Sequence, residues 1–120
     1  MKIILTFLCS CMTVLAMAQH PVTTSSKPDP AIKTDTLEAA CGMCQFDLKG
    51  KDCALAVRQD GKAYYADGTH IDEHGDAHAK DGFCNAIRKA VVQGGLVGDR
   101  YKLRYFKLIP TPSPVAKPKE

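Results

Sequence analysis

The sequence predicts a mainly β protein, a small five-stranded, partly open barrel with a short helical insert between its third and fourth strands. Five short segments between residues 35 and 109 are apolar or alternate apolar and polar residues, as strands with one buried face do. Between the third and fourth of these segments the alternation stops, and His70, His74 and His78 stand four residues apart, which is helical spacing. Three strands, an insert and two more strands is the order of an OB-like barrel.

The N-terminus has the pattern of a secretory signal peptide at residues 1–18. Lys2 precedes an apolar run, and the segment ends in the small-x-small pattern at Ala18. We expect cleavage after Ala18 and no lipid attachment at Cys11. The apolar run is too short and interrupted to form a membrane span. The sequence therefore predicts a periplasmic or secreted protein.

The composition then divides the rest of the chain into three parts. Pro, Ser and Thr dominate residues 19–34, which predicts a disordered linker, and Pro dominates residues 110–120, which predicts a disordered tail. The folded domain is expected at residues 35–109. A core of this size is marginal without cross-links or a metal. Loss of Lys2 with the leader lowers the formal net charge from +3 to +2, which is too small to create a strong electrostatic field around the protein.

The first strand carries an irregularity at Gly42. Apolar residues in 35–41 share one parity, and those in 44–48 share the other. A β-bulge at Gly42 within one strand over residues 35–48 would restore a single apolar face. It would also let Cys41 and Cys44 point to the same side.

The remaining elements follow from turn signals and patterning. Asp60-Gly61 predicts a type I′ hairpin between the second and third strands. Residues 83–93 are ambiguous, because they fit either a helix, giving a small α+β domain, or the start of a strand bent at glycine. The other predicted strands cover residues 53–57, 62–66 and 101–109.

Cysteine and histidine residues form the main candidate site. Thiolates and imidazoles are the ligands that zinc and copper ions select. The sequence predicts that Cys41, Cys44, Cys84 and His78 converge on one such ion, with His74 as a substitute ligand. Cys53 is the doubtful member, either a disulfide partner or an additional ligand.

Two other interpretations of the cysteines stay open. Four cysteines in an exported domain also fit two disulfides, in any of three pairings, stapling a binding module without metal. Cys41-x-x-Cys44 is also the spacing of thiol–disulfide redox proteins. No constellation of catalytic residues stands out, so we expect a binding protein and not an enzyme.

A basic strand near the C-terminus suggests a second binding surface. Arg100, Lys102 and Arg104 alternate with Tyr101 and Tyr105. Such a surface suits an anionic partner. Export disfavours nucleic acid, so the candidate partners are an anionic envelope component or a protein. The alternative is a plain solvated face with no partner.

Several motifs are similar to those of an uncharacterised family of small exported bacterial proteins. They are Cys41-Gly-x-Cys44-Gln45-Phe46, Asp60-Gly61-Lys62, and His74-Gly-Asp-Ala-His78 followed by Gly82-Phe83-Cys84-Asn85. The resemblance covers about residues 35–109. It implies an exported OB-like domain and supplies no activity, substrate or ligand set.

Overall fold

The computed structural model describes residues 23–111, in which five strands form a closed barrel in the order β1-β2-β3-β5-β4. The predicted mainly β, OB-like barrel is confirmed, with one difference. The barrel is closed and not partly open, because β1 pairs with both β2 and β4. Neighbouring strands are antiparallel except β3 and β5, which are parallel. The elements are β1 (Asp35–Cys41), α1 (Gly42–Gln45), β2 (Leu55–Gln59), β3 (Lys62–Asp67), a 3₁₀ turn (Ile71–His74), β4 (Arg88–Val97) and β5 (Arg100–Leu108).

The chain turns at Gly42 in a different way from the one predicted. The expected bulge within a continuous strand over residues 35–48 is wrong, because β1 ends at Cys41 and the single helical turn α1 follows. The amides of Phe46 and Leu48 both donate to the carbonyl oxygen of Gly42, at 3.2 and 3.0 Å. Gly42 is buried, and a Cβ atom there would lie only 2.5 Å from Cε1 of Tyr65. Glycine is therefore required by close packing.

The hairpin between β2 and β3 confirms the prediction from Asp60-Gly61. Both residues have positive φ angles, 51° and 81°, as a type I′ turn requires. Gln59 and Lys62 pair across the turn. This turn fixes the register of β2 against β3. On its other edge β2 pairs with β1, and Leu55 lies opposite Cys41.

Residues 83–93 do not form a helix. β4 begins at Arg88, and its pairing with β5 shifts register between Gln93 and Gly94. A Cβ atom on Gly94 would overlap the carbonyl oxygen of Lys102. The predicted strand with a glycine bend is thus the correct alternative, and the bend lets β4 wrap around the barrel.

An N-terminal strap, residues 23–34, runs along the barrel where composition predicts a disordered linker. Ser25 forms a parallel bridge with Tyr105 of β5. Gln93, which is 2% exposed, accepts a hydrogen bond from the Asp29 amide at 2.7 Å. Its Nε2 donates to the carbonyl oxygens of Asp29 and Ile32 at 2.8 and 3.0 Å. The strap therefore satisfies the hydrogen-bonding groups of Gln93, the buried polar side chain within residues 23–111.

The barrel core is filled by side chains from all five strands and from the segment before β4. Tyr101 and Leu103 of β5 are almost fully buried. Phe83, outside any strand, closes the core at the end where β1 stops. The other principal members are Leu55, Val57, Ile71, Ala90 and Val92.

Candidate metal centre

Four cysteines from three segments of the chain meet where β1 ends and β2 begins. Cys41 is the last residue of β1, and Cys44 lies in α1. Cys53 lies two residues before β2, and Cys84 lies four residues before β4. The four Sγ atoms all lie within 4.8 Å of one another.

Hydrogen bonds join the segments that carry these cysteines. The side-chain amide of Gln45 donates to the carbonyl oxygen of Cys84 at 2.8 Å, which links α1 to the segment before β4. Two backbone bonds complete the links, from Cys41 N to the carbonyl oxygen of Phe83 at 2.9 Å and from Gly42 N to that of Ala54 at 2.9 Å. These hydrogen bonds hold the backbones of the three segments together, so the convergence of the thiols does not depend on side-chain rotamers alone.

All four cysteines in the described part of the chain are free thiols. The Sγ atom of Cys53 lies 2.7 Å from that of Cys41 and 2.9 Å from that of Cys84. A disulfide bond is about 2.05 Å long and joins a sulfur to one partner. The Cys53 sulfur lies almost equally close to two other sulfurs, which does not match the predicted alternative of two separate disulfide bonds.

The electrostatics of the four thiols are uneven. Burial opposes ionisation of Cys41, but a hydrogen bond from the Cys53 thiol and bonds from the amides of Cys44 and Met43 outweigh it and lower the pKa of Cys41 to about 7. The hydrogen bond to Cys41, with a smaller effect of desolvation, raises the pKa of Cys44 to about 11. Burial, followed by hydrogen bonds to Cys41 and Cys84, raises the pKa of Cys53. Cys41 is thus the thiol that ionises most readily, whereas the raised pKa values of Cys44 and Cys53 favour their protonated forms, and a bound cation would favour loss of those protons.

Access to the group is also uneven. Cys41 is fully buried, and Cys53 and Cys84 are partly buried. Cys44 alone among the four is exposed. A metal ion or a competing ligand from solution would therefore meet Cys44 first.

The two predicted histidine ligands lie outside this group. The His78 side chain is 82% exposed, and its backbone amide bonds to Asp76. The His74 ring packs against Phe106, with centroids 4.6 Å apart, and its Nε2 lies 2.9 Å from Oγ1 of Thr69. Burial lowers the pKa of His74, which keeps the ring neutral as a packing element.

The sequence leaves open whether Cys53 is a metal ligand, yet its sulfur lies 2.7 Å from the sulfur of Cys41 and 2.9 Å from that of Cys84. The signal that could have placed Cys53 is the register of β1 against β2. Cys41 pairs with Leu55 across β1 and β2. A residue two positions before Leu55 must therefore lie near the end of β1, whereas no such register ties His78 to either strand.

The predicted basic face is present on the outside of β5, but it is partly neutralised. Arg100 donates twice to the Asp67 carboxylate from Nε and once from Nη2, at 2.7–3.0 Å, and Lys102 also contacts Asp67. The Arg100 hydrogen bond, with the help of Lys102, lowers the pKa of Asp67 to about 2 against the opposing effect of burial. Within residues 23–111, Arg104 forms no ion pair.

The fold and the site define a small five-stranded β-barrel with four converging free thiols. The chain belongs to a family described as a family of unknown function (DUF6370), whose model matches residues 35–109. This confirms the resemblance to an uncharacterised family. Neither a curated protein nor a solved structure matches the chain. Within residues 23–111, no helix has the length and apolar character needed to cross a membrane.

Proposed function

We propose that this domain binds one zinc or copper ion through Cys41, Cys44, Cys53 and Cys84. The observation that carries the proposal is the convergence of four sulfurs within 4.8 Å. Four thiolates at about 2.3 Å from a tetrahedral zinc ion are separated by about 3.8 Å from one another. Small side-chain adjustments would bring these sulfurs onto that tetrahedron. Monovalent copper also selects thiolates, but a set of four thiolate donors favours zinc.

The bound ion would act as a structural cross-link. It would join the end of β1, the start of β2 and the segment before β4, which are separated by up to 43 positions in the sequence, from Cys41 to Cys84. A site that is absent from the unfolded chain adds its binding free energy to the free energy of folding. This contribution is large for a barrel whose core is too small to be robust alone.

We further propose that the protein is exported, with residues 1–18 as a cleaved leader. Those residues lie outside the described part of the chain, so the support is the sequence pattern alone. In an oxidising compartment, metal coordination would protect the thiols from forming disulfides. N-terminal sequencing of the mature protein should find Gln19 first, and detection of Met1 or of a lipidated Cys11 would contradict export by this route.

The geometry supports binding over thiol–disulfide chemistry. Cys41 has two features of a redox thiol, a position at the start of a helical turn and a lowered pKa. A nucleophilic thiol must also be reached by its substrate, and Cys41 is 0% exposed. The accessible thiol is Cys44, whose raised pKa makes it a poor nucleophile at neutral pH.

The proposal is tested by metal content and metal-dependent stability of two matched variants. Protein purified under reducing conditions and loaded with zinc is measured by native mass spectrometry, and its melting temperature is recorded with and without chelator. Cys53→Ser should lose the metal and the chelator response. His78→Ala should keep both, because the His78 side chain is exposed and outside the group.

Two outcomes would contradict the proposal. One is a reduced wild-type protein that takes up no zinc and whose melting temperature is unchanged by chelator. The other is loss of metal in His78→Ala with retention in Cys53→Ser, which would restore the histidine-containing ligand set predicted from the sequence.

A further inference from the structure

A second candidate site is a cavity of about 660 Å³ between the N-terminal strap and the β4–β5 hairpin. The strap supplies one wall, and the bent end of β4 with the start of β5 supplies the other. It shares no residue with the four-cysteine group. Its lining includes Lys27, Ile32, Leu96, Val97, Lys102 and Arg104.

One side of the cavity is apolar and open to solvent. Leu96 is 42% exposed and Val97 is 61% exposed, although both belong to a strand. Ile32 of the strap lines the same cavity. Gly94 and Gly95 leave part of its surface without side chains. Apolar surface gathered in a concave site, unlike scattered apolar residues, is typical of ligand-binding sites.

The other side of the cavity is cationic. Lys27, Lys102 and Arg104 line it, against the single acid Asp29. Lys102 is paired with Asp67, but within residues 23–111 neither Lys27 nor Arg104 has a carboxylate partner. The carboxylate of Asp29 accepts a hydrogen bond from the amide of Ala31 and so serves the turn of the strap. Two cations therefore remain available to a ligand.

The wall formed by the strap is held in place before any ligand arrives. Oε1 of Gln93 accepts from the Asp29 amide, and its Nε2 lies 2.9 Å from Oγ1 of Thr34. Ser25 donates its amide to the carbonyl oxygen of Arg104 at 2.7 Å. Both anchors use groups other than the Lys27 and Arg104 side chains, so those two cations are not needed to hold the strap.

We propose that this cavity binds a single-chain amphipathic anion of the fatty-acid type. The anionic head would lie between Lys27 and Arg104, and the alkyl chain would cover Leu96, Val97 and Ile32. The volume lies within the range of small-molecule sites, about 300–1,000 Å³. The combination of an apolar side and two unpaired cations distinguishes this ligand class from a purely polar anion or a neutral lipid.

The probe is dodecanoate, kept below the concentration at which it aggregates and titrated into the full chain by calorimetry. We expect one molecule bound per protein, and weaker binding at high salt because the head-group contacts are partly exposed. Arg104→Gln should weaken binding about two- to five-fold, as expected for one exposed ionic contact. The double variant Lys27→Gln/Arg104→Gln should weaken it further, and Leu96→Ser should weaken it without changing the salt dependence.

The matched control is Lys107→Gln, which removes an exposed cation from the same strand outside the cavity. It should leave dodecanoate affinity unchanged. An equal loss in Lys107→Gln and Arg104→Gln would overturn the proposal in favour of a diffuse charge effect. Equal affinity for dodecyl maltoside, which has the same chain and no charge, would also overturn it. Retention on anionic vesicles without binding of monomeric dodecanoate would replace the proposed cavity site by a membrane-facing surface.

Discussion

Replacing Gly42 with alanine tests the packing that holds α1, the helical turn that carries Cys44. The added Cβ would lie 2.5 Å from Cε1 of Tyr65, 3.0 Å from its Cζ and 3.1 Å from Cδ1 of Leu48. The shortest of these separations is at least about 1 Å below an optimal carbon–carbon contact, so the Tyr65 ring or α1 must move. Overpacking of this kind costs about 1–3 kcal/mol. We expect the free energy of unfolding of Gly42→Ala to fall by that amount in urea denaturation.

The matched control is Gly95→Ala, another glycine on the barrel, at which a Cβ would meet nothing within 4 Å. Its stability should change by no more than about 0.5 kcal/mol, or rise slightly because alanine restricts the unfolded chain. Both variants are measured with the same metal content. Equal stability of Gly42→Ala and Gly95→Ala would refute the argument that close contact with Tyr65 is the reason for glycine at position 42.

Three further predictions concern other features of the barrel. Arg100 and Lys102 lower the pKa of Asp67 from 3.8 to about 2, so the stabilising effect of its carboxylate is present above pH 4 and is lost as the pH falls towards 2. Because the side chain is 29% exposed, we expect this effect to contribute about 1 kcal/mol to the free energy of unfolding. Asp67→Asn should remove that part of the pH dependence in acid titrations of unfolding. Gln93→Leu leaves the backbone groups of the strap that bond to Gln93 without partners, which should destabilise the protein by about 1–3 kcal/mol. Trypsin cleavage within residues 23–34 should also increase. Unchanged cleavage would show that other contacts hold the strap. The buried hydroxyl of Tyr65 has no hydrogen-bond partner among the described residues, so Tyr65→Phe should raise the melting temperature or leave it unchanged, and a clear fall would reveal a partner.

Much of the fold follows from local patterns in the sequence. The type I′ hairpin at Asp60-Gly61 requires two positive φ angles, and few residue pairs supply them, so its position could be predicted. The switch from alternation to helical spacing at residue 70 located the insert correctly. Closure of the barrel depends on the pairing of β1 with β4. The paired residues Ala39 and Arg88 are 49 positions apart in the sequence, so no local pattern reports this pairing.

The errors arose where a tertiary contact decides the structure. The change of parity around Gly42 is real, but a bulge and a helical turn both produce it, and contact with Tyr65 selects between them. The composition of residues 23–34 indicates disorder because it cannot show that Gln93, far along the chain, supplies the missing hydrogen bonds.

The candidate site illustrates the same division between local and long-range information. Residue type and spacing predicted that cysteines 41, 44 and 84 would converge, and the structure does bring them together. The sequence predicts His78 as a metal ligand because it is close to Cys84 along the chain. Spatial proximity instead follows strand register, which brings Cys53 to Cys41 and leaves the His78 imidazole in solvent.

The central claim is that four sulfurs bind one metal ion, and X-ray absorption spectroscopy of the zinc-loaded protein tests it most directly. The account predicts a single shell of four sulfurs at about 2.3 Å from zinc. The same shell should persist in His78→Ala, and Cys53→Ser should hold no zinc at this site. A nitrogen contribution at about 2.0–2.1 Å, lost in His78→Ala, would contradict the four-thiolate site and return histidine to the ligand set.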